Sequence, residues 1–517
     1  MTTVRDVTIA LLRDLGMTRI FGNPGSTELP MFRDFPADFD YVLGLQEATV
    51  LAMADGYAQA TRNAALVNLH SSAGVGHALG NVFTAFKNQA PLVVTAGQQA
   101  RSILPFEPFL YADRPTEFPR PFVKWACEPA RAADVPRAIA RAYSIAMTPP
   151  FGPCFVSVPV DDWDQPGEPA EARSIVTTNP GDRVALDQLV AKLRAASNPA
   201  LVLGAGVARD GGWDAAIALA EAQNACVYVA PFAARNVFPE DHPLFHGFLK
   251  PSRGDIVARL ARHDLAIVVG GPLNLYHTEA TGPHLPADTA VWIIDDNPAM
   301  LSWAPSGNAI LANSRMALAY LAEAGGGAER PTPQRPARSG ALPVEMGDRL
   351  AMARIAALRP AGAIIVEEAP SSRGAMQELL PMLTSDSFYT TASGGLGYAL
   401  PAAVGVAIAR PGERVIALVG DGSAMYSIQA LFSAARARLP LSVLVINNRR
   451  YEALENFGRH FALDKVEGTD LSGLDFCAIA RGHGVASRRA ETPDELDAAL
   501  AWSFGEAGPT LVEIIVP

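Results

Sequence analysis

The sequence predicts an α/β protein built of three doubly wound parallel-sheet domains. Short apolar runs rich in β-branched residues, such as AALVNLH, PALVLGAGV and RVIALVG, recur from end to end with helical stretches between them. That alternation is the pattern of parallel strands whose two faces are covered by helices. The length of 517 residues matches it, since domains run to roughly 150 residues each. A hydrophobic content of 49% against 18% charged residues is enough for several large cores and excludes a disordered chain.

In chain order, the first domain spans residues 1–170. A helical pattern covers Val4–Leu15, strand runs follow at YVLGL, AALVNLH, PLVVTAG and CFVSVPV, and the polar stretch DDWDQPGEPAEAR closes the block. Glu47 opens the strongly helical EATVLAMADGYAQAT, where an acidic residue in the first turn suits the helix dipole. The central domain spans 180–325, with strands at PALVLGAGV, LAIVVGG and AVWIID. Its Gly204-Ala205-Gly206 does not go on to complete a GxGxxG fingerprint and reads as a simple strand-to-helix turn. Residues Gly325 to Pro343, rich in Gly, Pro and Arg, read as an exposed linker. The third domain, 343–517, carries AIIVEE, RVIALVG, LSVLVI and TLVEIIV as strands.

Two of these strands end in chemistry. RVIALVG runs into Gly420-Asp421-Gly422-Ser423, where glycines allow close backbone approach and a helix start faces an anion with N–H groups and dipole. LSVLVI runs into Asn447-Asn448, 27 residues beyond Asp421. Both strand ends open at the carboxyl edge of a doubly wound sheet, where ligands bind. Asp421 and Asn448 are hard oxygen ligands suited to Mg2+. Other classes of partner fit poorly. A net charge of −11 leaves no basic surface for nucleic acid, and no apolar run is long enough to span a bilayer. The N-terminus has no apolar leader, so a cytoplasmic protein is expected. The 4 cysteines are scattered and read as buried free thiols.

The set Val404-Gly405, Pro411, Ile416-x-Leu418-x-Gly420-Asp421-Gly422-Ser423 and Asn447-Asn448 resembles the signature of the thiamin diphosphate-dependent 2-oxo acid decarboxylase family. The segments FGNPGSTELPMFRDF, LGLQEA, ADGYAQA, NLHSSAGVGHALGN, TAGQQAR and SVPVDDWD carry the resemblance over nearly the whole chain, toward the benzoylformate decarboxylases of bacteria. The resemblance implies thiamin diphosphate and Mg2+ as cofactors, with Asp421, Asn448 and the backbone carbonyl of Arg450 as metal ligands. It places Gly394, Leu396, Gly420, Gly422, Ser423 and Tyr451 around the cofactor, Leu396 under it as the residue that enforces its bent shape. Glu47 would bond N1′ of the aminopyrimidine and activate it. Ser26 would bind the substrate carboxylate, and His70 and His277 would handle protons. Read from local sequence alone, each histidine is more often structural than catalytic, and Ser26 reads as a turn residue.

Phe109, Leu110, Thr390, Leu454 and Phe457 would line the substrate pocket. Against that branch, Thr390 stands for a pocket phenylalanine, Pro370 for a threonine, Arg449-Arg450 for a Gly-Thr pair and Glu455-Asn456 for an Arg-Trp pair, changes that make the site more polar and wider. The implied reaction converts an aromatic 2-oxo acid to an aldehyde and CO2 without oxidation, with carboligation as a side activity, in a homodimer or homotetramer. The alternatives are a carboligase like acetolactate synthase, a decarboxylase of aliphatic or larger aryl acids, and a cofactor-binding sensor without catalysis.

Overall fold

The computed structural model describes residues 2–327, 329–336 and 343–517, so part of the expected linker, residues 328 and 337–342, lies outside the described residues. The strands are β1 (Arg19–Gly22), β2 (Asp40–Leu43), β3 (Ala65–Leu69), β4 (Leu92–Gln98), β5 (Trp125–Cys127) and β6 (Pro153–Pro159). Then come β7 (Pro199–Leu203), β8 (Cys226–Val229), β9 (Phe245–Phe248), β10 (Leu265–Val269), β11 (Ala290–Asp295) and β12 (Asn308–Leu311). Last are β13 (Ile364–Glu368), β14 (Phe388–Thr390), β15 (Val415–Gly420), β16 (Leu441–Asn447), β17 (Ala486–Ala490) and β18 (Thr510–Ile515). The chain forms two compact units. One comprises Met1–Ile175, Pro343–Ala375 and Ser393–Pro517, the other Val176–Leu342 and Met376–Ala392.

The first unit holds two parallel sheets. One runs β2-β1-β3-β4-β6-β5, and the strands of the other lie in the order β13-β15-β16-β18-β17. Central strands such as β3, β15 and β16 are largely apolar, as strands covered by helices on both faces are. Val67, Val93, Val156, Ile416 and Leu444 are fully buried. The opening helix Val4–Asp14 starts at a capping box, with Thr3 Oγ1 accepting from Asp6 N at 3.2 Å and Asp6 Oδ2 accepting from Thr3 N at 2.9 Å. The helices Glu47–Thr61 and Ala399–Ala409 cross at backbone contact. A Cβ on Gly405 would lie 1.9 Å from the Met53 carbonyl oxygen, and one on Gly56 would lie 2.2 Å from that of Ala402. Only glycine fits either position.

The second unit holds a parallel sheet in the order β12-β11-β10-β7-β8-β9, with its direction of winding reversed between β7 and β10. Leu201, Leu219, Ile267 and Leu318 pack one face, and Val202, Ile256 and Val268 the other. The described part of the expected linker is tied to this unit. Arg330 donates to the carbonyls of Ala196 and Gln223 at 2.8 and 3.0 Å, and Arg335 to that of Glu240 at 2.6 Å. Its residues are mostly exposed, as expected, but the arginines anchor it. All four cysteines are free. Cys154, Cys226 and Cys477 are buried as expected, whereas Cys127 is only half-buried. Among the described residues no helix is long and apolar enough to cross a membrane.

Candidate active site

The register of β15 with β16 sets Gly420 opposite Ile446, so Asp421 and the Asn447-Asn448 pair leave the sheet at the same edge. Asp421 is buried at the start of the short helix Asp421–Met425. Its Oδ1 accepts from Gly422 N at 2.7 Å, while Oδ2, also buried, has no hydrogen-bond partner among the described residues. Burial pushes this carboxyl above the ordinary range, against the pull of backbone N–H groups of Gly422, Arg449 and Arg450. A buried carboxylate oxygen without a partner is costly, and a hard cation would satisfy it. Asn448 is oriented beside it, its Oδ1 accepting from Arg450 N at 3.2 Å and its Nδ2 donating to Glu452 Oε2 at 2.9 Å. Asn447 is anchored beneath, donating from Nδ2 to the fully buried Glu513 at 2.7 Å. Ser423 is buried on the same turn, and Gly422 lies under the Tyr451 ring, 2.2 Å from a Cβ built on it to the nearest ring atom. The donor set and the open oxygen fit a Mg2+ that carries a diphosphate.

A second cluster gathers at the amino-terminal sheet. Glu47, the first residue of its helix, is 8% exposed. Its Oε2 lies 3.1 Å from Nδ1 of His77, and its Oε1 accepts from Asn23 Nδ2 at 3.4 Å. His70 ends β3 and caps the helix Ser71–Asn88. Its Nδ1 lies 2.9 Å from Glu28 Oε2 and 3.2 Å from Thr27 Oγ1. Glu28 is itself buried and accepts from Thr27 Oγ1 at 2.6 Å, Gly97 N at 2.9 Å and Gly25 N at 3.0 Å. The His70 ring lies so close over the turn that a Cβ on Gly25 would be 1.9 Å from its Nδ1. Ser26 is exposed on that turn.

One face of the Ser71–Asn88 helix joins these parts. Gly74, His77, Asn81 and Thr84 recur at helical spacing. Gly74 leaves room for the Glu47 side chain, Asn81 donates to the carbonyls of Ala48 and Gly397 at 2.8 and 3.3 Å, and Thr84 bonds Ser393 at 2.9 Å. The turn that holds Leu396 is thereby fixed from one side. Glu368, at the end of β13, fixes it from the other by accepting from Gly397, Tyr398 and Ala399 N–H at 2.7, 2.7 and 2.8 Å. Gly394 and Gly397 take φ of +73° and +96° there, the left-handed region that favours glycine. Leu396 itself is half-buried.

Phe109 is 88% exposed, and Leu110 beside it accepts from Ser71 Oγ at 2.7 Å through its carbonyl. Leu454 is exposed and Phe457 half-buried on the helix Glu452–His460. The Arg450 guanidinium pairs with Glu455 at 3.6 Å and Glu452 at 3.9 Å, so its charge is partly answered within its own segment. His277 and Thr390 belong to the second unit. His277 sits edge-on to Phe232 with ring centroids 5.6 Å apart, and Thr390 is buried in β14 with its N–H on the Ala234 carbonyl at 2.9 Å. Also in that unit, Gly204 and Gly206 lie against Gly270. Cβ atoms built on them would come 2.5 and 2.6 Å from its backbone, so these glycines serve chain packing in a turn, as the incomplete fingerprint predicts. Glu28, His77, Glu368 and Glu513 were not singled out by the sequence. Only the helical spacing of residues 74, 77, 81 and 84 offered a signal, and it points to one of them.

Three family models match the chain: the N-terminal TPP binding domain of thiamine pyrophosphate enzymes at residues 2–113, their central domain at 186–321 and their C-terminal TPP binding domain at 371–514. The benzoylformate decarboxylase of Pseudomonas aeruginosa is 40% identical over 521 residues, covering 99% of each chain. The chain belongs to the thiamine pyrophosphate enzyme family. Among solved structures, the benzoylformate decarboxylase of Polynucleobacter necessarius superposes with a TM-score of 0.97 at 38% identity, covering 100% of this chain and 99% of that one. The thiamine diphosphate-dependent 4-hydroxybenzoylformate decarboxylase of Rhodococcus jostii RHA1 gives 0.96 at 38%, covering 99% of both. This member of the family is accordingly a carboxy-lyase that uses thiamin diphosphate.

Proposed function

We propose that the chain decarboxylates an aromatic 2-oxo acid, benzoylformate or a ring-substituted form of it, to the aldehyde and CO2 without oxidation, using thiamin diphosphate and Mg2+. The observation that carries the reading is the buried, unpartnered Oδ2 of Asp421 at the edge shared with Asn448. Asp421, Asn448 and the Arg450 carbonyl hold the metal, and Gly420, Gly422, Ser423 and Tyr451 surround the diphosphate. When bound, thiamin diphosphate supplies a carbon nucleophile for the ketone and a sink for the electrons that CO2 leaves behind.

The chain's own residues do the rest. Glu47 would hold the cofactor's aminopyrimidine, and Leu396 and Gly394 would support it from the turn they form. Ser26 takes the substrate carboxylate. His70, with Nδ1 engaged by Glu28, keeps Nε2 for proton transfer. His277 is assigned the second proton transfer. The aryl group is assigned to Phe109, Leu110, Thr390, Leu454 and Phe457. The names of the relatives support an aryl substrate, and the substituted ring acted on by one of them accords with the smaller Thr390. Carboligation follows when an acceptor aldehyde takes the place of the final proton. Self-association as a homodimer or homotetramer belongs to the same reading, with the exposed Phe106 as a candidate contact.

The test is CO2 release from benzoylformate and 4-hydroxybenzoylformate by the purified protein, with both cofactors present and after their removal by a chelator and dialysis. Release that needs both cofactors is expected. Absence of release from every aryl 2-oxo acid by protein shown to hold thiamin diphosphate would overturn the substrate assignment. Asp421→Asn should raise the Mg2+ concentration needed for half-maximal release by at least about tenfold, the scale of one charged contact at a buried site.

A further inference from the structure

Glu47 is the first residue of its helix, where backbone geometry alone does not fix the plane of the carboxylate. Two neighbours act on that carboxylate, and they do so unequally. Asn23 reaches Oε1 at 3.4 Å, the outer limit of a hydrogen bond, whereas Nδ1 of His77 reaches Oε2 at 3.1 Å. His77 lies on the helix face that also carries Gly74, and a Cβ on Gly74 would be 3.4 Å from Glu47 Cγ and Oε1. The helix that presents His77 is therefore packed directly against the side chain it bonds. Glu47 is buried while the His77 side chain is 64% exposed, so the imidazole lies between Oε2 and solvent.

We propose that His77 is a positioning residue for Glu47: with its proton on Nδ1 it holds Oε2 and leaves Oε1, the weakly engaged oxygen, to receive the cofactor's pyrimidine. This rests on the thiamin diphosphate reading and adds to it a residue that sequence reasoning did not select. The imidazole donates to the carboxylate and touches no reacting atom. Its effect is to hold one carboxylate orientation in advance, so that binding does not have to select it.

The experiment compares the wild type with His77→Ala and His77→Asn. In Asn the Nδ2 donor stands the same number of bonds from Cβ as Nδ1 does in His, so it can supply the same hydrogen bond, whereas Ala cannot. The readouts are the dissociation constant of thiamin diphosphate, from quenching of intrinsic fluorescence at saturating Mg2+, and the near-ultraviolet circular dichroism of the bound cofactor. His77→Ala should weaken binding roughly tenfold, the scale of one charge-assisted hydrogen bond, and alter the dichroism. His77→Asn should restore both to within about threefold of wild type, the usual scatter of such interactions between contexts. Wild-type binding and an unchanged dichroism in His77→Ala would overturn the proposal, and so would an Asn variant that behaves like Ala. A wild-type protein that fails to bind thiamin diphosphate would overturn the cofactor reading itself and this proposal with it.

Discussion

At the scale of single residues, the site depends on buried carboxylates whose oxygens are spoken for. Glu28 is the fullest case. It accepts from Thr27, Gly97 and Gly25 and lies against His70, so each oxygen has two neighbours. Glu28→Gln replaces one oxygen with an amide nitrogen that must face a donor. The variant should lose about 1–3 kcal/mol of stability, since a buried donor is left unpaired. Its CO2 release should fall as well, because the His70 ring loses its anchor. Urea unfolding and the release assay check the two effects separately, and a variant with wild-type stability would show that Glu28 is not bonded as described. Nothing in NPGSTE marks this glutamate beforehand. One of its donors, Gly97, is 69 residues away in sequence and is brought in only by the pairing of β3 with β4. Asp421 was readable, by contrast, because its strand, its turn and its helix start are all local features.

Among the elements, the crossing of Glu47–Thr61 with Ala399–Ala409 has the narrowest tolerance. The Ala399–Ala409 helix is apolar on every side, as a helix buried all round should be. Gly405→Ala would drive a methyl into the Met53 carbonyl, a backbone atom that cannot move aside. It should cost about 1–3 kcal/mol or more, the range for overpacking a tight core. Gly80→Ala is the contrast. Gly80 sits within the Ser71–Asn88 helix with nothing within 4 Å of an added Cβ, so the change should be neutral or stabilise by up to about 1 kcal/mol through helix propensity. The thermal midpoint should fall for Gly405→Ala and hold or rise for Gly80→Ala. Equal midpoints would mean that the crossing is looser than the backbone contact indicates. The strands that the sequence announced are the long β-branched runs, β3, β4, β7, β10, β15 and β16 among them. Those it hid are short or polar. β5 is WAC, β14 is FYT, and β17 is ASRRA, whose arginines ride an exposed edge strand.

Across the whole molecule, the sequence divides into three blocks while the chain condenses into two units, because the first and third blocks interlock through glycines whose partners no linear pattern reveals. Each unit also stores a carboxyl that burial has pushed out of its ordinary range. In the first unit, burial raises Glu368 from 4.5 to about 7 despite its three backbone donors. In the second, burial raises Asp295 from 3.8 to about 7, with Arg209 opposing and Asp296 reinforcing the shift. A carboxyl whose folded value lies above its unfolded one binds its proton more tightly when folded. The stability it contributes is full below the unfolded value and is lost as pH rises through the folded value, here from about pH 4 to about 7. The buried His246, lowered to about 4, acts in the opposite sense, since its neutral form is favoured in the fold above that value. Total stability can therefore look flat across this window while its parts change. The informative quantity is a difference between variants. Measured by urea unfolding of the cofactor-free protein at a series of pH values, Glu368→Gln and Asp295→Asn should each gain on the wild type as pH rises from 4 to 7. They should level off above that range, because each amide cannot ionise where the acid must. A wild-type-to-variant difference independent of pH would mean that the carboxyl in question keeps its ordinary acidity in the fold. For Glu368, the three N–H groups at the start of the Ala399–Ala409 helix would then be holding a full negative charge, and the turn that carries Leu396 would be fixed by an ion and not by a neutral acid.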